Sequence, residues 1–271
     1  MTIGLSLVVA TPEVGHWPFG LLSGPFEVKM RKAAELGFDG VELLIRDIYA
    51  LDQAGIKKAI ANNGLNVAAL VTGVLYGLDG LCLMSPDKGI SQRAMAQLRG
   101  FLEFAGGYGA AVDIGLLRGR LSAMPDRVRA EQQLVDLFRQ AAEYAVHCGA
   151  RITLEPLNRY EADLINNAHD GLEWVAKVGH PGFGLMLDTF HMNIEDASVE
   201  GSLREAGPKL WHVHVGDSNR LSPGKGHLDF AQIVRTLNEI GYAGYLSAEH
   251  LALPDPDTAA QDTARYLRRL V

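Results

Sequence analysis

The chain has 271 residues, 48% of them hydrophobic, and a formal net charge of −7. That length suits one α/β barrel of about 250 residues better than a small two-layer domain. An acidic balance disfavours nucleic acid as a partner, which calls for clustered Lys and Arg, and no apolar run nears the ~18 residues that would span a bilayer.

The N-terminal stretch Met1–Val9 is apolar, lacks a basic region and runs into Thr11-Pro12, so it reads as a first strand and not as a signal peptide. Strand-like and helical stretches then alternate. The expected strands are Ile3–Val9, Gly40–Ile45, Asn66–Val71, Ala111–Gly115, Arg151–Glu155, Gly184–Asp188, Leu210–Val215 and Gly244–Glu249. The helices between and after them are Pro25–Leu36, Asp52–Asn63, Ser91–Tyr108, Arg127–His147, Ala168–Val178, Val199–Ala206, Phe230–Ile240 and Pro256–Leu270. Glycines such as Gly37, Gly64, Gly109, Gly149 and Gly241 follow helix ends, where the left-handed conformation stops a helix.

Eight strand–helix pairs predict a (β/α)8 TIM barrel, α/β in class, as a single domain over residues 1–271. An open doubly wound sheet would prefer a glycine-rich phosphate loop after its first strand. Here that position reads Val9-Ala10-Thr11-Pro12-Glu13. The long connections Ala10–Gly24, Thr72–Ile90, Leu116–Asp126, Asn158–Asn167 and Gly216–Leu228 all follow strand C-termini, which predicts an active site on that face. Cys82 and Cys148 lie in apolar stretches at a spacing that fits neither a zinc motif nor a disulfide framework, so a reducing, cytoplasmic compartment is expected.

Four residues carry most of the functional information. Glu155, Asp188, His214 and Glu249 each end a short apolar run, roughly one strand–helix unit of ~30 residues apart. At the ends of four successive parallel strands they would converge on one point. One acidic residue ending a strand is usually a helix N-cap or a solvated loop residue; four at matched ends predict a divalent metal site. Three carboxylates and one imidazole suit Mn²⁺, with Co²⁺ or Mg²⁺ as alternatives, and a structural zinc site would show Cys or more His. His212 shares a strand face with His214 and is expected one barrel layer lower, hydrogen-bonded in the core.

Arg46, at the end of the second strand, and Arg118 and Arg120, after the fourth, are candidates to clamp a distal carboxylate; Glu42–Arg46 could instead be an internal ion pair, and Arg118 or Arg120 could face solvent. His16, Trp17 and Phe19 could form a lid in the first long loop, or simply anchor it.

Longer motifs carry a resemblance. Leu154-Glu155-Pro156-Leu157-Asn158-Arg159-Tyr160-Glu161, Leu187-Asp188-Thr189-Phe190-His191-Met192-Asn193-Ile194-Glu195 and His212-Val213-His214-Val215-Gly216-Asp217-Ser218-Asn219-Arg220 resemble the sugar isomerase/epimerase superfamily of xylose isomerase-like TIM barrels. Within it the ketose 3-epimerases of the D-tagatose and D-psicose type are similar. In the N-terminal half, Gly40-Val41-Glu42-Leu43-Leu44-Ile45-Arg46-Asp47 and Ile114-Gly115-Leu116-Leu117-Arg118-Gly119-Arg120 resemble the 5-keto-L-gluconate epimerase branch. Gly216 and His250 depart from the family pattern.

The resemblance implies that Glu155, Asp188, His214 and Glu249 hold the metal, that Glu155 and Glu249 also act as acid and base on opposite faces of the substrate, and that Glu161, His191 and Arg220 contact the ketose end. The implied enzyme is an isomerase, a carbohydrate 3-epimerase acting on a ketose or hexulosonate through a metal-stabilised cis-enediolate. An aldose–ketose isomerase of the hydroxypyruvate type, using the same metal site, is the alternative. A small-molecule sugar or keto acid is the expected partner, with no nucleic acid or membrane, and a homodimer or homotetramer as the assembly. A carboxylate alone is a weak base for a carbon acid, so the chemistry requires both the cation and two proton-transferring groups.

Overall fold

The computed structural model describes residues 2–271 as eight parallel strands closed into a barrel in chain order. The strands are β1 (Gly4–Ala10), β2 (Gly40–Leu44), β3 (Asn66–Val71), β4 (Ala111–Ile114), β5 (Arg151–Leu154), β6 (Phe183–Asp188), β7 (Leu210–Val215) and β8 (Tyr245–Ala248). β8 returns to pair with β1, with Ser6 opposite Ser247, so the barrel has no open edge. The TIM-barrel expectation holds.

Helices cover the barrel: α1 (Phe26–Glu35), α2 (Gln53–Asn62), α3 (Gly73–Asp79), α4 (Lys88–Gly106), α5 (Arg127–Cys148), α6 (Ala168–Val178), α7 (Thr189–Glu195), α8 (Val199–Ala206), α9 (Phe230–Glu239) and α10 (Pro256–Leu267). Every residue of β2, β4 and β6 is buried, as a parallel sheet sealed on both faces requires. Strand alternation sorts the apolar side chains into two groups. Leu5, Leu7 and Val9 of β1 join the large core under the helices. Val8 and Ala10, with Leu44 and Val71, form a separate cluster inside the barrel mouth, against which Trp17 packs.

Two helices lie where loops were expected. The Thr72–Ile90 connection contains α3, which ends at Gly80 in the left-handed conformation (φ 64°). The connection after β6 begins with α7, so His191 stands in the first turn of a helix and not in a loop. Both are seven residues long, too short to show an amphipathic period. Among the described residues, no helix is long and apolar enough to cross a membrane.

Candidate active site at the strand C-termini

The barrel brings four of the predicted residues together. Glu155 and Glu249 are the first residues beyond β5 and β8; Asp188 closes β6, and His214 sits inside β7. One ligand-type atom from each of the four lies within 4.8 Å of the other three. The Nδ1 of His214 is 3.4 Å from Glu249 Oε2 and 3.9 Å from Glu155 Oε1.

The donor set fits a cation. Glu155 Oε1, Asp188 Oδ2 and His214 Nδ1 are buried without a hydrogen-bond partner, and buried polar atoms are rarely left so. Asp188 divides its carboxylate: Oδ1 accepts from the Phe190 N–H at 2.8 Å and caps α7, while Oδ2 is left for the site. Gly115 leaves room for Glu155, because a Cβ there would come within 2.5 Å of Glu155 Oε2.

The electrostatics show a site short of positive charge. Burial, then the nearby Asp113 and Glu249 charges, pushes the Glu155 carboxyl well above its usual range. Burial and Glu249 raise Asp188 to about 6. Burial would also raise Glu249, but His214 and Arg220 outweigh it and hold that carboxyl below the ordinary value. A dication among these groups would relieve what burial costs them.

The tautomer of His214 is set from below. Its Nε2 lies 2.9 Å from Glu42 Oε1, and an ionised carboxylate can only accept. The ring therefore donates Nε2–H downwards and, when neutral, presents the Nδ1 lone pair to the site. Glu42 Oε2 lies 2.8 Å from Nε2 of His212, which occupies the lower, buried position expected of it. Burial alone would raise the Glu42 carboxyl; the two imidazoles hold it far below the usual range. Neither Glu42 nor its partners could be paired from sequence, since it sits on β2 and they sit on β7.

His191 and Arg220 also reach the site. His191 Nε2 is 3.8 Å from Glu155 Oε1 and 3.7 Å from Asp188 Oδ2, and has no hydrogen-bond partner. Its other nitrogen, Nδ1, is 2.7 Å from the Asn158 side-chain nitrogen. That amide is oriented by two further bonds: its oxygen accepts from Tyr160 N–H, and its nitrogen donates to Glu161. Nδ1 thus accepts, and Nε2 carries the proton and aims it inwards. Burial, with Arg220 nearby, keeps the ring neutral by lowering its pKa well below the usual value. Asn158 was not singled out from sequence, though it lies within the Glu155–Glu161 motif.

Arg220 lies between the rings of Phe19 and Phe190, 4.3 and 4.7 Å from their centroids, and donates to Glu161 at 2.7 Å. Its backbone is left-handed (φ 58°), an uncommon state for a non-glycine residue that concentrates at functional sites. The turn is fixed by Asp217, whose carboxylate accepts from the backbone N–H of Ser218, Gly224 and Leu228.

Two expected substrate contacts are engaged elsewhere. β2 ends at Leu44, so strand alternation no longer aims Arg46; it is half-exposed and pairs with Asp79 of α3 at 2.7 Å, not with Glu42. Arg118 is fully buried and donates to the carbonyls of Gly115, Glu155, Leu164 and Ile165. It ties the turn after β4 to the connection after β5 and is neither a free clamp nor a solvent-facing side chain. Arg120 donates to the Glu161 carbonyl. Arg118→Lys is expected to cost about 3 kcal/mol of stability, because one ammonium cannot serve four buried carbonyls. Urea denaturation would check this, and a loss under about 1 kcal/mol would contradict it.

Trp17 and Phe19, from the Ala10–Gly24 loop, line the cavity together with Glu155, Glu161, His191, Arg220 and Glu249. The cavity holds about 80 Å³, far below the ~300 Å³ of small-ligand pockets. A sugar needs more room than this, and Trp17 and Phe19 are among the side chains that narrow the space.

The sequence profile of the xylose isomerase-like TIM barrel family matches residues 30–270. The chain belongs to that family. Among curated members of this family, D-psicose 3-epimerase of Ruminiclostridium cellulolyticum is 35% identical over 236 residues, 83% of this chain and 78% of that protein. The 3-dehydro-D-guloside 4-epimerase of Escherichia coli is 30% identical over 270 residues, 96% of this chain and 98% of that protein. The solved structure of D-psicose 3-epimerase from Clostridium cellulolyticum H10 with D-tagatose superposes with a TM-score of 0.82 at 26% identity, covering 99% of each chain. These relatives are epimerases, enzymes of the isomerase class, and the expectation of an isomerase stands.

Proposed function

We propose that this chain epimerises a ketose at C3, the carbon beside its carbonyl, with a divalent cation, Mn²⁺ by the donor set, held by Glu155, Asp188, His214 and Glu249. The reading is carried by the convergence of two glutamates, one from β5 and one from β8, with an aspartate and a histidine whose facing atoms are buried and unpartnered. The 3-epimerase relatives support it.

The cation would supply Lewis-acid polarisation of the substrate oxygens and so acidify the neighbouring C–H. The chain's own residues do the rest. Glu155 and Glu249 hold or take the C3 proton from opposite faces, one removing it and the other returning one, so the centre inverts without the substrate turning over. His191 donates Nε2–H to the oxygen on which charge develops. Arg220, fixed by Glu161, Phe19 and Phe190, adds positive charge on the same side. Trp17 and Phe19 keep water away from the carbanionic carbon.

A second reading follows from the near full-length match to 3-dehydro-D-guloside 4-epimerase: a keto-glycoside inverted beside its ring carbonyl by the same two glutamates. A cytoplasmic location, supported by the free thiols of Cys82 and Cys148, and a homo-oligomer belong to the same proposal.

Proton NMR in D₂O separates the readings. Metal-stripped and Mn²⁺-loaded protein would be incubated with D-fructose, D-tagatose, L-ribulose, D-tagaturonate, 5-keto-L-gluconate and a 3-keto-glucoside, and the Mn²⁺ chelated before recording. Metal-dependent deuterium at C3 with the C3 epimer is the expected result. Label at C4 of the glycoside alone would select the second reading, and label at C1 with an aldose would select the isomerase. No exchange anywhere, with metal bound, would refute all three.

A further inference from the structure

The mouth of the barrel holds one more carboxylate that the mechanism above does not use. Asp113 stands on the inward face of β4, in register with Val71 of β3 and Thr153 of β5. It is 1% exposed. Its Oδ1 accepts from the Thr153 hydroxyl at 3.1 Å. Its Oδ2 is buried with no partner, and the residue lines the same cavity as Glu155 and Glu249. In an eight-stranded barrel β4 lies opposite β8, so Asp113 faces the cavity from across Glu249 and away from the His191–Arg220 side. Its neighbours Leu44, Val71 and Gly73 on that wall bring no side-chain donor, and Trp17 packs over Leu44 and Val71.

We propose that Asp113 determines substrate specificity: its free Oδ2 meets a hydroxyl of the sugar beyond the reacting carbon, and so selects a sugar that carries this hydroxyl over one that lacks it. The inference rests on the epimerase reading and deepens it. A buried carboxylate oxygen without a partner is costly, and a ligand hydroxyl meets that need. Burial, with the nearby Glu42 and Glu249 charges, pushes the Asp113 carboxyl up to about 8, so it can meet a ligand hydroxyl as an acceptor or, when protonated, as a donor. The arginines of the neighbouring connections are engaged elsewhere and leave this oxygen to a ligand: Arg46 with Asp79, Arg118 with four carbonyls and Arg120 with the Glu161 carbonyl. A site built around a polar group rejects the analogue that lacks its partner far more strongly than an apolar site does.

The test crosses variants with substrates. Wild type, Asp113→Asn and Asp113→Ala would be assayed at saturating metal on a ketose and on its deoxy analogues beyond C3, with ligand binding measured by calorimetry in parallel. Wild type is expected to lose about 10- to 100-fold in kcat/KM on the deoxy analogue lacking the contacted hydroxyl, and Asp113→Ala to lose nothing further on that analogue. Asp113→Asn, which keeps a polar group at the same place, should retain more of the discrimination between the ketose and that analogue than Asp113→Ala does. The discrimination is read as a ratio of two substrates on the same metal-saturated enzyme, which a general structural defect or a change in metal affinity would lower alike for both. Equal losses on every substrate, or a wild type that turns over every deoxy analogue as well as the ketose, would overturn the inference. If wild type turns over no sugar, the epimerase reading fails separately: ketose binding that Asp113→Ala weakens, with no loss for the deoxy analogue, would keep Asp113 as a reader, and uniform binding would remove it.

Discussion

Glu155→Gln and Glu249→Gln are each expected to lower C3 proton exchange by about 10³-fold or more, the upper part of the range for losing a positioned acid or base. Glutamine preserves shape and keeps one oxygen that can face a cation, but it cannot take a proton near neutral pH. The variants therefore separate proton transfer from metal binding only if both are measured. Exchange lost while Mn²⁺ affinity stays within about tenfold of wild type assigns the acid/base role. Exchange and affinity falling together would make the residue a ligand alone, and near wild-type exchange in either variant would refute its role. Gly115→Ala is a geometric companion. Its Cβ would stand 2.5 Å from Glu155 Oε2, so the carboxylate must shift while its chemistry is unchanged. A misplacement of that size is expected to cost about 10²-fold, read by the same exchange assay.

The barrel was legible because parallel strands covered on both faces leave unmistakable apolar runs, such as Gly184–Leu187 and Leu210–Val213, and because each run is followed by a helix. The residues brought together at its mouth were legible for a related reason: a carboxylate directly after such a run has its position set by the strand. What escaped was set by tertiary contact. Asp188 starts α7 with its own side chain, which made the strand end visible and the seven-residue helix behind it invisible. Arg46 was read by alternation past the point where β2 stops, and the turn sends it to α3, a helix that the sequence reads as loop. Arg118 stands on a short 3-10 turn whose direction no periodicity encodes, and its partners lie on the connection after β5.

Glu42 is the residue whose importance is least visible in the sequence, and Glu42→Gln is expected to weaken Mn²⁺ binding by about 10- to 100-fold, as loss of an outer partner of a metal-ligating histidine generally does. The carboxylate is fully buried and accepts from two imidazoles at once, His214 at 2.9 Å and His212 at 2.8 Å. Glutamine offers one acceptor and one donor, so one of the two ring nitrogens would face an N–H group. If that ring is His214, its proton moves to Nδ1 and occupies the lone pair meant for the cation. If it is His212, His214 keeps its tautomer but loses the negative charge that makes its ring a stronger ligand. Either way affinity falls while Glu155 and Glu249 are untouched, so exchange should return towards wild type at saturating Mn²⁺. Calorimetric titration of Mn²⁺ beside exchange rates at increasing metal would show this. Unchanged affinity would mean that Glu42 only fills the barrel, and exchange that stays lost at saturating metal would place Glu42 in the proton transfer itself.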